Sequence, residues 1–348
     1  MATKVKVRLT ENLGFIPRVL GYLSSIDEYA YGYRYYRVRH PGGIFNSQLG
    51  DLAWNLLDLI TYVRTLRIPI DTPIWDNREL LRKFSGTLFA FTNYYNAAYE
   101  IILGCCKRED SRPAIQIWKW LKDHEYAAGT IYRSNLSEAD FFLGVFNELK
   151  HSSTRFGTVG LTRIPDGVQV LGYYLECVDD AGVIIPNPKF HPNRGNGHTA
   201  NSFNYDLRRL YYLVYKVAEV LVAALQEHFN QVYSADLAFN AGKTGDDKSL
   251  KDLFEAVSRL PIAFLPNEAK QSVPVARVVR RGQDRYLLFE NYKIPDDHGQ
   301  YQVSAILPPG DGFSRSWGLP YYRQNSSGPL SIKGQTSTSP EGPQPKQF

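Results

Sequence analysis

Apolar residues recur three and four positions apart through much of the chain, a spacing that predicts helices with one face turned to a core. Residues 46–66 carry Leu49, Leu52, Ala53, Leu56, Leu57, Ile60 and Val63 on one broad stripe, and Pro69 and Pro73 end the stretch. A second helix is predicted over 77–106, with Leu80, Leu81, Phe84, Leu88, Phe91, Tyr95, Ala98 and Ile102 as its buried face. A shorter one follows at 113–126, opened by Pro113 and holding Trp118 and Leu121. Residues 204–233 are apolar nearly all round in their middle, which predicts a rod through the centre of the molecule, and 248–259 read as a last short helix.

The stretch from Ser137 to Arg155 organises the rest. Ser137 is placed to cap a helix, Glu138 and Asp140 fall in its first turn, and Lys150 and His151 fall in its last, where the helix dipole favours cations. Phe141, Phe142, Val145, Phe146 and Leu149 make its apolar face. Asn147 and His151, four residues apart, share a polar one.

Elsewhere the period is two. Residues 156–163 and 167–176 alternate on either side of Ile164-Pro-Asp-Gly167, whose proline and Asp-Gly pair predict a hairpin turn, and Val183-Ile-Ile185 extends the sheet. Val5, Val7 and Leu9 alternate like a short strand, and Ile16 to Leu23 offer one or two helical turns. Residues 273–279, 286–289 and 301–307 are short β-like runs among prolines and glycines. Together these predict a mainly α fold, a helical bundle with a β-hairpin insert before the last long helix and an irregular β-containing C-terminal arm. The expected organisation is a mixed segment at 1–44, the bundle at 45–240 with its insert at 156–185, the arm at 241–323, and a disordered tail at 324–348 rich in Gly, Pro, Ser, Thr and Gln.

Composition narrows the class. With 348 residues, 43% of them hydrophobic, the chain can build a large core. Lysine and arginine total 40 against 35 acidic residues, a net charge of +5, which permits polyanion binding without requiring it. Three cysteines, Cys105, Cys106 and Cys177, match no metal spacing and no disulfide framework, and point to a reducing cytoplasm. The N-terminus has no apolar leader core, and no stretch approaches the ~18 apolar residues of a membrane span. Aromatic content reaches 14%, and Tyr29 to His40 interleave tyrosines with Arg34, Arg37 and Arg39. That pattern fits a base-stacking platform with phosphate contacts, and equally an aromatic-rich edge strand.

Several chemistries lack their residues. Gly242-Lys243-Thr244 has Leu237 where a phosphate loop needs its first glycine. His191, His198, Asp206 and Cys177 have no standard ligand spacing, so neither a metal nor another cofactor is expected. No Gly-x-Ser-x-Gly elbow occurs.

The remaining constellation is Phe146-Asn147-Glu148-Leu149-Lys150-His151 with Arg155 just beyond. A helix ending in a polar motif with a terminal histidine, then a hairpin, then a last long helix, resembles the HEPN superfamily, over about residues 45–233. The family's motif is commonly Arg-Asn-x-x-x-His; Asn147 and His151 match it, and Phe146 stands where its arginine would be. The resemblance implies binding of RNA or a nucleotide, and in its catalytic form a metal-independent ribonuclease of a toxin or antiviral defence system, acting as a homodimer. His151 would then be the acid/base and Asn147 a positioning hydrogen-bonder, with Lys150 and Arg155 supplying positive charge and Arg34, Arg37 and Arg39 further contacts to the nucleic acid. Two readings stand against it. Asn147 and His151 would merely satisfy carbonyls at the helix end, or the chain would be a non-enzymatic protein that assembles with copies of itself or a partner through aromatic-rich surfaces.

Overall fold

The computed structural model describes residues 5–9, 14–27, 32–66, 78–107, 116–151, 154–164, 166–192, 198–236, 238–240, 247–296, 300–306 and 319–321. In chain order its elements are strand β1 (Lys6–Leu9), helices α1 (Val19–Leu23), α2 (Tyr33–Tyr36), α3 (Pro41–Thr65), α4 (Arg78–Gly104), α5 (Ile117–Asp123), α6 (Ala127–Ser134) and α7 (Asp140–His151), and strands β2 (Phe156–Ile164), β3 (Gln169–Val178), β4 (Ile184–Pro186) and β5 (Asn201–Ser202). Then follow α8 (Phe203–Tyr233), α9 (Asp247–Ser258), β6 (Ser272–Arg281), β7 (Asp284–Lys293) and β8 (Gln300–Ile306).

Helix takes 54% and strand about 20%, and the strands form two sheets, so the architecture is not the expected helical bundle with a hairpin insert. One sheet runs β4-β3-β2-β8, with β5 also paired to β3, and curls into a half-barrel. The other runs β1-β7-β6. The reason is pairing at long range: β1 at the start of the chain pairs antiparallel with β7 (Lys6 opposite Leu288), and β8 pairs with β2 (Leu161 opposite Val303). Period-two runs announce strands one at a time and say nothing of which partner satisfies their backbone groups.

The helices and sheets share one core. Along the α3–α4 pair, Thr87 Oγ1 donates to the Asn55 carbonyl at 3.1 Å and Lys83 meets Asp58 at 2.5 Å. Tyr94 of α4 donates to the Val214 carbonyl of α8 at 2.8 Å. The half-barrel turns Phe156 and Tyr173, stacked at 5.6 Å, toward Phe84 and Phe203. Its other face encloses a second, smaller core of Val159, Leu161, Val170, Tyr174, Tyr301 and Val303. The three-stranded sheet lies on α8, where Phe289 packs between Tyr211, Tyr212 and Tyr215 at 5.5 to 5.6 Å.

Other expectations shift locally. The Tyr29–His40 run is no edge strand where it is described: residues 33–36 make one helical turn that buries Tyr33 and Tyr36, which removes these rings from any stacking platform, and Arg37 ends it in the left-handed region (φ 60°). The helix expected from residue 46 starts earlier, with Pro41 opening α3 and His40 Nδ1 accepting the Gly42 N–H at 3.1 Å. Of the element expected at 113–126 the described helix is α5 alone, and beyond Glu125 (φ 58°) follows α6, which was not expected. Ser137 begins a 3₁₀ turn that feeds α7 and makes no side-chain cap. Pro69, Pro73, Pro113, Gly242-Lys243-Thr244 and the tail at 324–348 lie outside the described residues. No described helix is long and apolar enough to cross a membrane.

Candidate functional site

The apolar face of α7 fixes how its polar face is presented. Phe142 and Val145 are buried, and Phe142 and Phe146 meet Phe91 and Phe89 of α4, each at 5.9 Å, so the two helices run antiparallel. Gly144 admits the Phe190 ring, which would stand 3.3 Å from a Cβ there. The Arg209 guanidinium lies 5.0 Å above both Phe141 and Phe142, while its Nη1 holds the Asp206 carboxylate at 3.0 Å. Asp206 also accepts the Tyr173 hydroxyl at 2.7 Å. Burial raises the Asp206 pKa against the pull of Arg209 and Tyr173. This chain of contacts ties α7 to α8 and β3.

Asn147 and His151 stand together on the other side, both exposed. Neither side chain makes a hydrogen bond or ion pair with any described residue. By contrast the exposed His124 lies stacked on Trp120 at 4.1 Å, with Nδ1 2.9 Å from that residue's carbonyl. Lys150 is exposed, its Nζ 6.0 Å from the Phe146 ring, and Lys189 reaches Glu148 at 3.1 Å. The end of α7 thus offers one amide, one imidazole and the Lys150 ammonium to whatever approaches from solvent, with the Lys189 ammonium beside them already paired to Glu148.

The other predicted residues are elsewhere or otherwise engaged. Arg155 Nε is 3.2 Å from Glu176 Oε2, a carboxylate only 4% exposed. Arg34, Arg37 and Arg39 are exposed around α2, which packs by Gly104 at the far end of α4. Phe84, beside Phe156, marks the end near His151, and the 20 residues from Phe84 to Gly104 span ~30 Å of helix. The structure therefore separates the predicted basic set into two places.

His191, weighed in sequence as a ligand, has its Nε2 accepting the Leu175 N–H at 2.9 Å, and burial drives its pKa down to about 3. No group of three or more His, Cys, Asp or Glu is arranged to hold a metal among the described residues. Cavities open on the surface among the described residues. One of about 220 Å³ is lined by Val170, Phe264, Tyr292 and Tyr301 among others, and one of about 390 Å³ by Arg64, Gln169, Asn204 and Arg259 among others. Asn147 and His151 line neither.

Sequence reading passed over Arg277, Arg280, Arg281 and Arg285, four arginines in nine residues on β6 and β7 with Asp284 the one acid among them. A count of charge in a short window would have found them. The chain matches no protein-family model, no curated protein and no solved structure.

Proposed function

We propose that this protein binds RNA or a nucleotide through the C-terminal end of α7, where Asn147 and His151 meet the phosphate. The observation that carries the reading is that both side chains are exposed on one face with their polar atoms unused by any described residue. If their role were to satisfy their own helix's carbonyls, those hydrogen bonds would be present in the fold. Lys150 adds positive charge without the planar fork of arginine.

In the HEPN-like catalytic form of this reading, His151 moves a proton to or from a ribose hydroxyl or the leaving oxygen, and Asn147 positions the phosphate. The guanidinium that would steady the developing charge is not at hand in one copy, because position 146 is phenylalanine and Arg155 is held by Glu176. The remaining cation there without an acidic partner among the described residues is the Lys150 ammonium, which in this form would meet the developing charge. The alternative reading, assembly without catalysis, draws on the exposed rings of Trp54 (65%) and Phe89 (54%) on α3 and α4.

The test begins with the purified chain, its mass in solution and its absorbance ratio at 260 and 280 nm. Co-purifying RNA that leaves as salt is raised, and that is lost in His151→Ala and Asn147→Ala variants of unchanged melting temperature, supports the reading. Retention and any cleavage unchanged in both variants overturns it.

A further inference from the structure

The net charge of the chain is gathered on one sheet. Strands β1, β6 and β7 carry seven of the 40 basic residues and two of the 35 acidic ones, which leaves 33 of each sign for the rest of the protein. Both acids already have partners: Asp284 pairs with Arg8 at 2.6 Å, and Glu290 with Arg277 at 2.5 Å. Lys6 Nζ lies 3.8 Å above the Tyr286 ring. Arg280, Arg281 and Arg285 are exposed and make no ion pair with any described residue.

The register sharpens this. Arg280 and Arg285 are direct cross-strand partners, so their side chains leave the sheet on the same face, and like charges in that position oppose strand pairing. Arg281 follows on the opposite face, across from Asp284, and Gly282 (φ 62°) turns the hairpin so that all three arginines lie within three residues of its tip. Strand pairing gains nothing from Arg280 set directly opposite Arg285. A ligand carrying closely spaced negative charges does gain, because it removes the repulsion as it binds.

We propose that the tip of the β6–β7 hairpin, through Arg280, Arg281 and Arg285, binds the phosphodiester backbone of a nucleic acid. The ligand class rests on the reading of the chain as RNA-binding; the place rests on the charge of the sheet alone. Arginine suits this ligand because its planar fork engages phosphate oxygens in pairs. A lipid surface fits less well, since the tip Arg280-Arg281-Gly282-Gln283-Asp284-Arg285 has no apolar side chain to insert among acyl chains. The contact is to the charged backbone, so its strength follows salt.

The test uses the intact chain and fluorescence anisotropy with a labelled single-stranded oligoribonucleotide and a duplex of the same length, each titrated across salt. The triple variant Arg280→Gln, Arg281→Gln, Arg285→Gln is expected to bind at least ~10-fold more weakly, with the slope of log affinity on log salt reduced by about 2, as ~0.7 to 0.9 per lost phosphate contact requires. Its melting temperature should hold or rise as the repulsion is removed. A control variant loses equal charge elsewhere through Lys119→Gln, Lys122→Gln and Lys251→Gln, all exposed, and should bind like the parent.

Equal loss in the control, parental affinity and slope in the hairpin variant, or binding of phosphatidylserine vesicles but of neither oligonucleotide overturns the proposal. His151→Ala separates the two sites. Loss confined to the hairpin variant leaves this surface standing and removes the α7 end, and loss confined to His151→Ala does the reverse. Comparison of strand and duplex then tells which form of the backbone the hairpin accepts.

Discussion

Arg155 and Glu176 face each other across the open end of the β2–β3 ladder, Nε to Oε2 at 3.2 Å, with the Glu176 N–H donating to the Arg155 carbonyl at 2.9 Å. The pair accounts for a basic residue that its place just after α7 would assign to phosphate. Because the carboxylate is buried, removing its cation leaves charge in a poor solvent. Arg155→Ala is expected to cost about 2–4 kcal/mol in urea unfolding, and Glu176→Gln in the same chain should restore part of it. RNA retention per folded molecule should stay unchanged, since this guanidinium is not available to the ligand.

Gly157 is required by a neighbour's ring rather than by its own backbone. A Cβ at this position would overlap Tyr174, which lies directly across the ladder from it. Tyr174 is buried, so its ring has no free space to move into. Gly157→Ala is therefore expected to destabilise the half-barrel by about 1–3 kcal/mol or to reduce soluble yield, as thermal unfolding and expression would show. Gly167→Ala, whose Cβ would meet nothing within 4 Å, serves as the comparison, with only the modest strain of its φ of 68°.

Glu268 links the curled sheet to the start of α8. Its Oε1 accepts the Ser202 N–H, and its Oε2 accepts the Ser202 hydroxyl and the Leu265 N–H, at 2.7 to 2.8 Å. Burial raises its pKa to about 8, against the pull of those donors and with Asp206 adding to the rise. In the unfolded chain a glutamate titrates near ~4.3, so between that pH and about 8 the folded state holds the extra proton. Its contribution is thus complete below ~4.3 and lost as pH rises through 8, on the order of a few kcal/mol. Glu268→Gln should flatten the fall in unfolding free energy between pH 5.5 and pH 8.5. A fall of the same size in the variant would show that other groups cause it.

His191 acts with the opposite sign. Burial lowers its pKa to about 3, with the charge of His198 as a lesser cause, whereas the unfolded side chain takes a proton near ~6.5. Its neutral form therefore supports the fold above ~6.5, and that support is lost as pH falls toward 3. His191→Gln removes this titration while keeping an acceptor for the Leu175 N–H. It is expected to lower stability at neutral pH and to weaken its decline between pH 6.5 and 4.5, measured by urea unfolding across that range. A decline as steep as the parent's would assign the acid sensitivity to other groups.

The elements themselves were largely legible in the sequence. The apolar stripes of α3, α4 and α8, and the alternation on both sides of Asp166-Gly167, located these segments to within a few residues, because each is written in spacings of two to four positions. The same local signals set Asn147 and His151 on one exposed face of α7. What spacing does not carry is the partner. That β1 joins β7 and β8 joins β2, which makes two sheets of what read as a bundle and its arm, is decided by backbone groups finding each other across the whole chain.

The fate of individual charges was likewise beyond local reading. Sequence placed Arg155 next to the α7 end and could not show Glu176 waiting for it on the neighbouring strand; it placed Arg34, Arg37 and Arg39 among tyrosines and could not show them ~30 Å away along α4. Composition supplied a net charge of +5, and only the pairing of β1 with β7 and β6 gathered it onto one sheet. Local periodicity is a property of a few consecutive residues and survives in the sequence. Electrostatic surroundings belong to residues distant in the chain and come into being when it folds.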